Sequence, residues 1–271
     1  MSNCMGVSKT VDGRVDLFGH DGQAKMYREF RPDYPQALIE SIISRVDQSS
    51  RRVFVDIACG SGQLTTRIAP SFVKSFGFDQ SEEQLKHAPK PAFCDIVYEA
   101  GSAFNLPLAS ESVDLVTVGQ ALHWLLPYQS CFEEIDRVLK PGGVFVAAAY
   151  AFPQLVNASA NAPVQEFYGK TLGGKSSPGD PGCWWETNRP TIDSFYADVP
   201  FPRVVEVSRF TERVSMPTDR FFNYLRTLSA YRTLLRAGNA DPLPAIEASV
   251  TRIVGGSVEV DIPFFTVSFR K

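Results

Sequence analysis

The stretch Val55-Asp56-Ile57-Ala58-Cys59-Gly60-Ser61-Gly62-Gln63-Leu64 sets an acid near the end of an apolar run and small residues directly after it. Small residues let a ligand approach the backbone, and a helix beginning beyond them offers free N–H groups. A second acid, Asp79 in Gly77-Phe78-Asp79, closes the next apolar run. An acid so placed can accept both hydroxyls of a ribose in charge-assisted hydrogen bonds. The glycines do not follow the GxGxxG dinucleotide spacing, and no Lys-Ser/Thr pair follows them as a phosphate loop requires. A third group is His123 in Gly119-Gln120-Ala121-Leu122-His123-Trp124. Its reference pKa of about 6.5 suits a base, but a substrate contact or a satisfied buried histidine fits equally.

These residues need a scaffold, and the chain alternates in the way that supplies one. Apolar runs at 53–57, 73–78, 94–98, 113–118 and 144–150 read as strands. Helical spacing covers about 35–47, the residues after Leu64, the segment opened by Ser81 as N-cap, and the segment carrying Phe132, Ile135, Val138 and Leu139. Pro141-Gly142-Gly143 is expected to stop that last helix. Continuous apolar strands alternating with helices imply a mostly parallel sheet covered on both faces. After Tyr150 the chain becomes Pro-rich and reads as a partly helical cap, with helices at 218–236, N-capped by Thr218, and at 244–254. Residues 258–269 alternate without room for a crossover and are expected to form a pair of antiparallel strands at the sheet edge. The fold class is therefore α/β, a Rossmann-like sheet of seven strands with an antiparallel edge and a helical cap insertion.

Composition narrows the function. The chain has 271 residues and a formal net charge of −3, enough for one large domain without disulfide or metal staples. A pI of about 5.7 without a Lys/Arg cluster argues against a nucleic-acid partner. No apolar run is long enough to span a membrane, and the first residues lack the apolar stretch of a secretory signal. Five scattered cysteines without a CxxC pair suit reduced thiols in the cytoplasm and no metal.

The motifs D-I-A-C-G-S-G, G-F-D-Q-S, A-G-S-A-F-N-L-P-L, S-V-D-L-V-T-V-G-Q-A-L-H-W and L-K-P-G-G resemble class I S-adenosylmethionine-dependent methyltransferases over about residues 27–150. Y-x-x-x-R-P-x-Y-P at 27–35, Q-A-x-H-W at 120–124 and Y-L-R-T-x-S-A-Y at 224–231 are similar to the trans-aconitate methyltransferase-like group. The resemblance implies one methyltransferase domain over 1–271. Its cofactor-binding core would be 27–150, its mainly helical substrate cap 151–257 and its terminal edge strands 258–271. It implies S-adenosyl-L-methionine as cofactor. Asp56, Ala58, Gly60 and Gly62 would hold the methionine end, and Asp79 and Gln80 the ribose and adenine. Ser102 and Ala103 would flank the adenine, while Gln120, Ala121 and His123 would line the floor near the sulfonium. Tyr27, with Tyr34, would close over the cofactor. Two departures stand out: Ala58 replaces the first glycine of the usual triplet, and Ser102 stands where relatives often carry Asp.

Methyl transfer is an in-line displacement, so the protein supplies orientation, exclusion of water and a matched nucleophile. A carboxylate is already ionised at neutral pH and needs no base. The expected activity is O-methylation of a small carboxylate, with a trans-aconitate-like acid as acceptor. Arg31, Arg189 and Arg226 are the candidate carboxylate partners, with Trp124 and Trp184 as candidate pocket walls. Local ion pairing for the arginines and plain packing for the tryptophans are the ordinary alternatives. Rival readings are another acceptor (protein, lipid or other metabolite), a cofactor-binding scaffold without turnover, and a nicotinamide-dependent oxidoreductase, which the glycine spacing disfavours.

Overall fold

A computed structural model of the chain describes Met26, residues 29–172 and residues 199–271. Tyr27, Trp184 and Arg189 lie outside the described residues. Eight strands are present: β1 (Val53–Ile57), β2 (Lys74–Asp79), β3 (Ile96–Ala100), β4 (Val113–Gly119), β5 (Leu139–Tyr150), β6 (Gln154–Leu155), β7 (Glu206–Pro217) and β8 (Ser257–Arg270). The α-helices are α1 (Gln36–Ile43), α2 (Thr65–Ile68), α3 (Glu82–Lys86), α4 (Tyr128–Val138), α5 (Ala158–Glu166), α6 (Thr218–Arg226), α7 (Ser229–Arg236) and α8 (Leu243–Val254).

The first five strands are parallel in the order β3-β2-β1-β4-β5. Their side chains divide between two buried layers. Phe54, Leu115, Val144 and Val146 join Leu38, Ile39 and Ile42 of α1 on one face. Val55, Val116, Val118 and Phe145 join Phe132 and Ile135 of α4 on the other. Burial on both faces explains why these strands read as unbroken apolar runs rather than alternating ones. The chain leaves β1 for β2 on one side and returns to β4 on the other. That reversal opens a crevice beyond the carboxyl ends of β1 and β4, where open α/β sheets bind their ligands.

Several sequence expectations shift. Pro141-Gly142-Gly143 lies inside β5 rather than before it. Leu139 pairs with Val113 and Val144 with Leu115, so the residues between form a bulge, with Gly142 at φ +80°. β3 sits two residues later than expected. The expected helix over 218–236 is two helices, because Leu228 is extended at ψ 130° between α6 and α7. Thr218 is not a side-chain N-cap; its hydroxyl donates to the Gly255 carbonyl at 3.0 Å and ties α6 to the turn before β8.

The largest correction concerns the terminal strands. Residues 257–270 form one strand, not a pair, and the sheet has eight strands rather than seven. β8 pairs antiparallel with β5 through Phe264–Arg270 and with β6 through Val260 and Asp261. Pro263 falls in the gap between these two pairings, where its missing N–H removes no ladder bond. The other edge of β8 is taken along its length by β7. β7 lies within the stretch expected to be mainly helical, and it, not the terminal segment, is the antiparallel outer strand. Arg213 of β7 grips Asp261 of β8 through two hydrogen bonds of 2.7 and 2.8 Å. Among the described residues, no helix is long and apolar enough to cross a membrane.

Candidate active site

The carboxyl ends of the five parallel strands converge on one edge. Asp56 leads the turn after β1 and is 1% exposed. Its carboxylate accepts from the hydroxyls of Thr65 on α2 and Thr117 on β4, each at 2.6 Å. Burial dominates and pushes its pKa up to about 6, with nearby Asp79 adding to the rise and the two hydroxyls opposing it. Thr117 is the one polar residue among Leu115-Val116-Thr117-Val118, at the carboxyl end of the strand, and that oddity is the available signal for its role.

The turn after Asp56 uses three left-handed residues, Ala58 at φ +53°, Gly60 at +55° and Gly62 at +75°. Ala58 thus takes a glycine-like conformation despite its methyl group, a strain of about 1–2 kcal/mol. At Gly62 the reason for glycine is also spatial: an added Cβ would fall into the phenol ring of Tyr98 from β3. Asp79, the last residue of β2, holds the turn from the side. Its carboxylate accepts from the backbone N–H of Gly60 at 2.7 Å and of Ser81 at 2.8 Å. Gln80 follows it, half-buried, and Ser81 caps α3 by accepting from the Gln84 N–H.

Beyond β3, Ala103 is buried in the core layer on the α4 side, and the Ser102 hydroxyl accepts from the Phe104 N–H at 3.3 Å. Beyond β4 the chain enters a left-handed residue, Gln120 at φ +55°. Its backbone N–H donates to the Ala148 carbonyl at 2.8 Å and its side-chain amide to the Tyr150 carbonyl at 3.0 Å. These bonds lash the β4 turn to β5. Ala121, His123 and Trp124 follow, and the His123 and Trp124 rings lie 5.1 Å apart.

A cavity of about 40 Å³ lies at this switch point, lined by Tyr34, Asp56, Ala58, Gly60, Gly119 and Gln120 together with Tyr150. It shares Tyr34, Ser61 and Gln63 with a groove of about 710 Å³. Ser61 is 3% exposed, and its hydroxyl is buried without a hydrogen-bond partner. A buried polar group left unmatched costs about 1–3 kcal/mol, so this one points to a ligand that satisfies it. Small left-handed turns, two acids at strand ends and an unmatched hydroxyl fit the amino-acid and ribose parts of a nucleoside-bearing ligand.

The acceptor candidates separate sharply. Arg31, from the strap before α1, donates to the Tyr150 hydroxyl at 3.2 Å and to the Thr227 carbonyl at 3.1 Å. Its guanidinium lies over the Tyr224 ring, 5.6 Å from the centroid. The helix ends at Thr227 because Leu228 is extended, and the Thr227 carbonyl accepts from Arg31 instead of from a following helical turn. Burial, helped by the Arg31 charge, lowers the His123 pKa to about 3, so the imidazole is neutral at pH 7. Arg226, by contrast, is drawn off: it bonds Glu247 of α8 at 2.5 Å and Asn223 at 3.2 Å. The structure therefore brings Arg31, His123 and Gln120 to one region, and leaves Arg226 stitching two helices together. The sequence motifs give no role to Tyr150, Thr117 or Thr65, and include Ser61 only as part of the Gly60–Gly62 turn; Tyr150 carries one mark, an aromatic hydroxyl ending a buried strand.

The comparisons agree with this geometry. A methyltransferase domain profile matches residues 55–147. A Dictyostelium discoideum protein named as a methyltransferase is 33% identical over 268 residues, covering 94% of this chain and 95% of that one. A Saccharomyces cerevisiae protein named as an S-adenosylmethionine-dependent methyltransferase is 29% identical over 137 residues, covering 48% of this chain and 46% of that one. The solved structure of a protein described as a type II methyltransferase from Anaeromyxobacter dehalogenans superposes with a TM-score of 0.73 at 27% identity, covering 89% of this chain and 98% of that one. With its fold, its switch-point turn and a full-length relative in accord, the chain belongs to the S-adenosylmethionine-dependent methyltransferases.

Proposed function

We propose that the enzyme methylates a carboxylate oxygen of a small organic acid in the cytoplasm. The observation that carries this reading is the guanidinium of Arg31, fixed between the Tyr150 hydroxyl and the Thr227 carbonyl beside a neutral His123. An imidazole with a pKa of about 3 is a poor proton acceptor. Asp56, in the cavity lining, spends its oxygens on Thr65 and Thr117. An acceptor that arrives already ionised suits such a site, and a carboxylate with a pKa of about 4 does so at neutral pH. The trans-aconitate-like motifs around Arg31, His123 and Arg226 support an organic acid as acceptor.

In this reading Asp56 and the Gly60–Gly62 turn hold the methionine end of the cofactor, and Asp79 and Gln80 take the ribose and adenine. Ser102 and Ala103 flank the base, and Gln120 and Ala121 form the floor. S-adenosylmethionine, when bound, supplies an electrophilic methyl group. Arg31 orients the acid by charge, His123 and Trp124 exclude water from the acceptor side, and no side chain takes a proton. Orientation of this kind is where such catalysis gains most.

The test is a transfer assay with tritium-labelled cofactor against carboxylic acids, phenols and amines. A labelled product from an acid, released as methanol by mild base, is the expected methyl ester. Base-stable label on a phenol or amine alone would overturn the reading.

A further inference from the structure

Of the two motif arginines, Arg31 and Arg226, the function above uses only the first. The second belongs to a clamp that ties α6 to α8 at both ends. At the start of α6 the Thr218 hydroxyl donates to the Gly255 carbonyl and the Thr218 N–H to the Gly256 carbonyl, each at 3.0 Å. At its end Arg226 bonds Glu247 at 2.5 Å and Asn223 at 3.2 Å. The two helices therefore run antiparallel, 218 beside 255 and 226 beside 247.

Glu247 stands where helical periodicity calls for an apolar residue. It lies four residues after Leu243 and three before Val250, both 0% exposed, so it shares the inward face of α8. Its side chain is 26% exposed and that of Arg226 27%. Apolar residues of similar volume often stabilise as well as a buried ion pair, or better, so stability alone does not call for charges here. What a directional pair adds is a fixed register between two elements. The end of α6 that it fixes carries two of the contacts to Arg31. The Tyr224 ring lies 5.6 Å from the guanidinium, and the Thr227 carbonyl accepts from it at 3.1 Å. The Thr227 hydroxyl closes the same turn by donating to the Tyr224 carbonyl at 2.6 Å. Within Y-L-R-T-x-S-A-Y, Tyr224 and Thr227 thus hold Arg31, and Arg226 between them reaches Glu247.

We propose that Arg226 and Glu247 are a positioning ion pair for the acceptor site, fixing the end of α6 on α8 so that Tyr224 and Thr227 set the place of Arg31. The pair acts through Arg31 and touches neither acceptor nor cofactor. This rests on the reading that Arg31 orients an acid, and it adds Glu247, on α8, to the residues on which that orientation depends.

The experiment compares the wild type with Glu247→Gln, Arg226→Met and the exchanged pair Arg226→Glu with Glu247→Arg. Transfer kinetics are taken on whichever of acetate, benzoate, citrate and trans-aconitate turns over fastest. Calorimetry gives S-adenosylhomocysteine affinity, and amide hydrogen exchange follows the strap at 29–36. In either single variant kcat/KM for the acid should fall by about ten- to a hundredfold, mainly through KM, the scale on which a misplacement of about 1 Å acts. Cofactor affinity should stay within about twofold, as for sites that do not couple. Strap exchange should quicken, and the exchanged pair should recover part of the loss. Glu247→Gln, the nearly isosteric change, carries the test should Arg226→Met fail to fold. A lower melting temperature with KM and strap exchange unchanged would make the pair merely structural and overturn the proposal, as would equal losses of acid and cofactor affinity. Transfer only to phenols or amines would overturn the carboxylate reading instead, and the strap exchange rates would still decide whether the pair holds Arg31.

Discussion

The ends of β1 and β2 and the ground beyond β5 are both polar sites on one sheet edge, yet they are assembled differently. At the first, all but one of the contacts join neighbours within a single βαβ unit. Asp79 reaches Gly60 and Ser81, and Asp56 reaches Thr65, with Thr117 the one distant partner. At the second, Arg31 finds Tyr150 and Thr227 far along the chain, with separations of 119 and 196 residues. On the proposed reading, the difference teaches that a methyl-donor site can be a local device, while the acceptor site would be a product of the whole fold. Substitutions in the two regions should therefore separate cleanly.

Asp79→Ala should have the largest effect. It strips two charge-assisted partners from the turn, each hydrogen bond to a charged group being worth about 1.5–3 kcal/mol. Affinity for S-adenosylmethionine in calorimetry should fall by about a hundredfold or more, while Arg31→Met should leave it within about twofold. The second effect is the mirror image. Arg31→Met should lower kcat/KM for an acid acceptor by about a hundredfold, in line with the 2–5 kcal/mol lost when one member of a buried charged pair is truncated. Arg31→Lys should recover only part of this, since an ammonium does not reproduce a planar fork. Equal losses of cofactor affinity in both variants would erase the distinction between the regions.

A smaller effect separates two left-handed glycines. Gly62→Ala meets the Tyr98 ring as well as a strained backbone at φ +75°, whereas Gly142→Ala at φ +80° meets nothing within 4 Å. Thermal unfolding should show a loss of about 1–2 kcal/mol for Gly142→Ala. For Gly62→Ala about 1–3 kcal/mol of overpacking should be added.

A further contrast lies in pH dependence, where the two regions carry opposite signs. His123 binds protons less readily folded, at about 3, than unfolded, so its contribution falls as pH drops from about 6.5 toward 3. Asp56 binds protons more readily folded, at about 6 against 3.8, so its contribution rises as pH drops from about 6 toward 3.8. In stability curves from pH 8 to 4, His123→Gln should gain on the wild type below about pH 6. Asp56→Asn should gain on it above about pH 5.

How much was legible in the sequence follows the same division. The acid-plus-glycine turn, the five parallel strands and Ser81 as a cap are written in short windows whose side chains act on near neighbours. β7 escaped because the positions on its core-facing side run Phe210, Glu212, Val214, Met216, and the charge at 212 breaks the apolar alternation. The single terminal strand escaped because Pro263 reads as a stop, although β5 and β6 leave a gap at that position. Arg31 and Arg226 look alike in sequence; only the break after α6 and the nearness of Glu247 tell them apart, and both are tertiary facts.

The central claim is that the acceptor arrives ionised and that His123 takes no proton. The most direct test is kcat for an acid acceptor at saturating cofactor from pH 6.5 to 9. The account predicts a flat profile, unchanged in shape in His123→Gln. A rising limb near pH 7 that disappears in His123→Gln would contradict it and make the histidine the base.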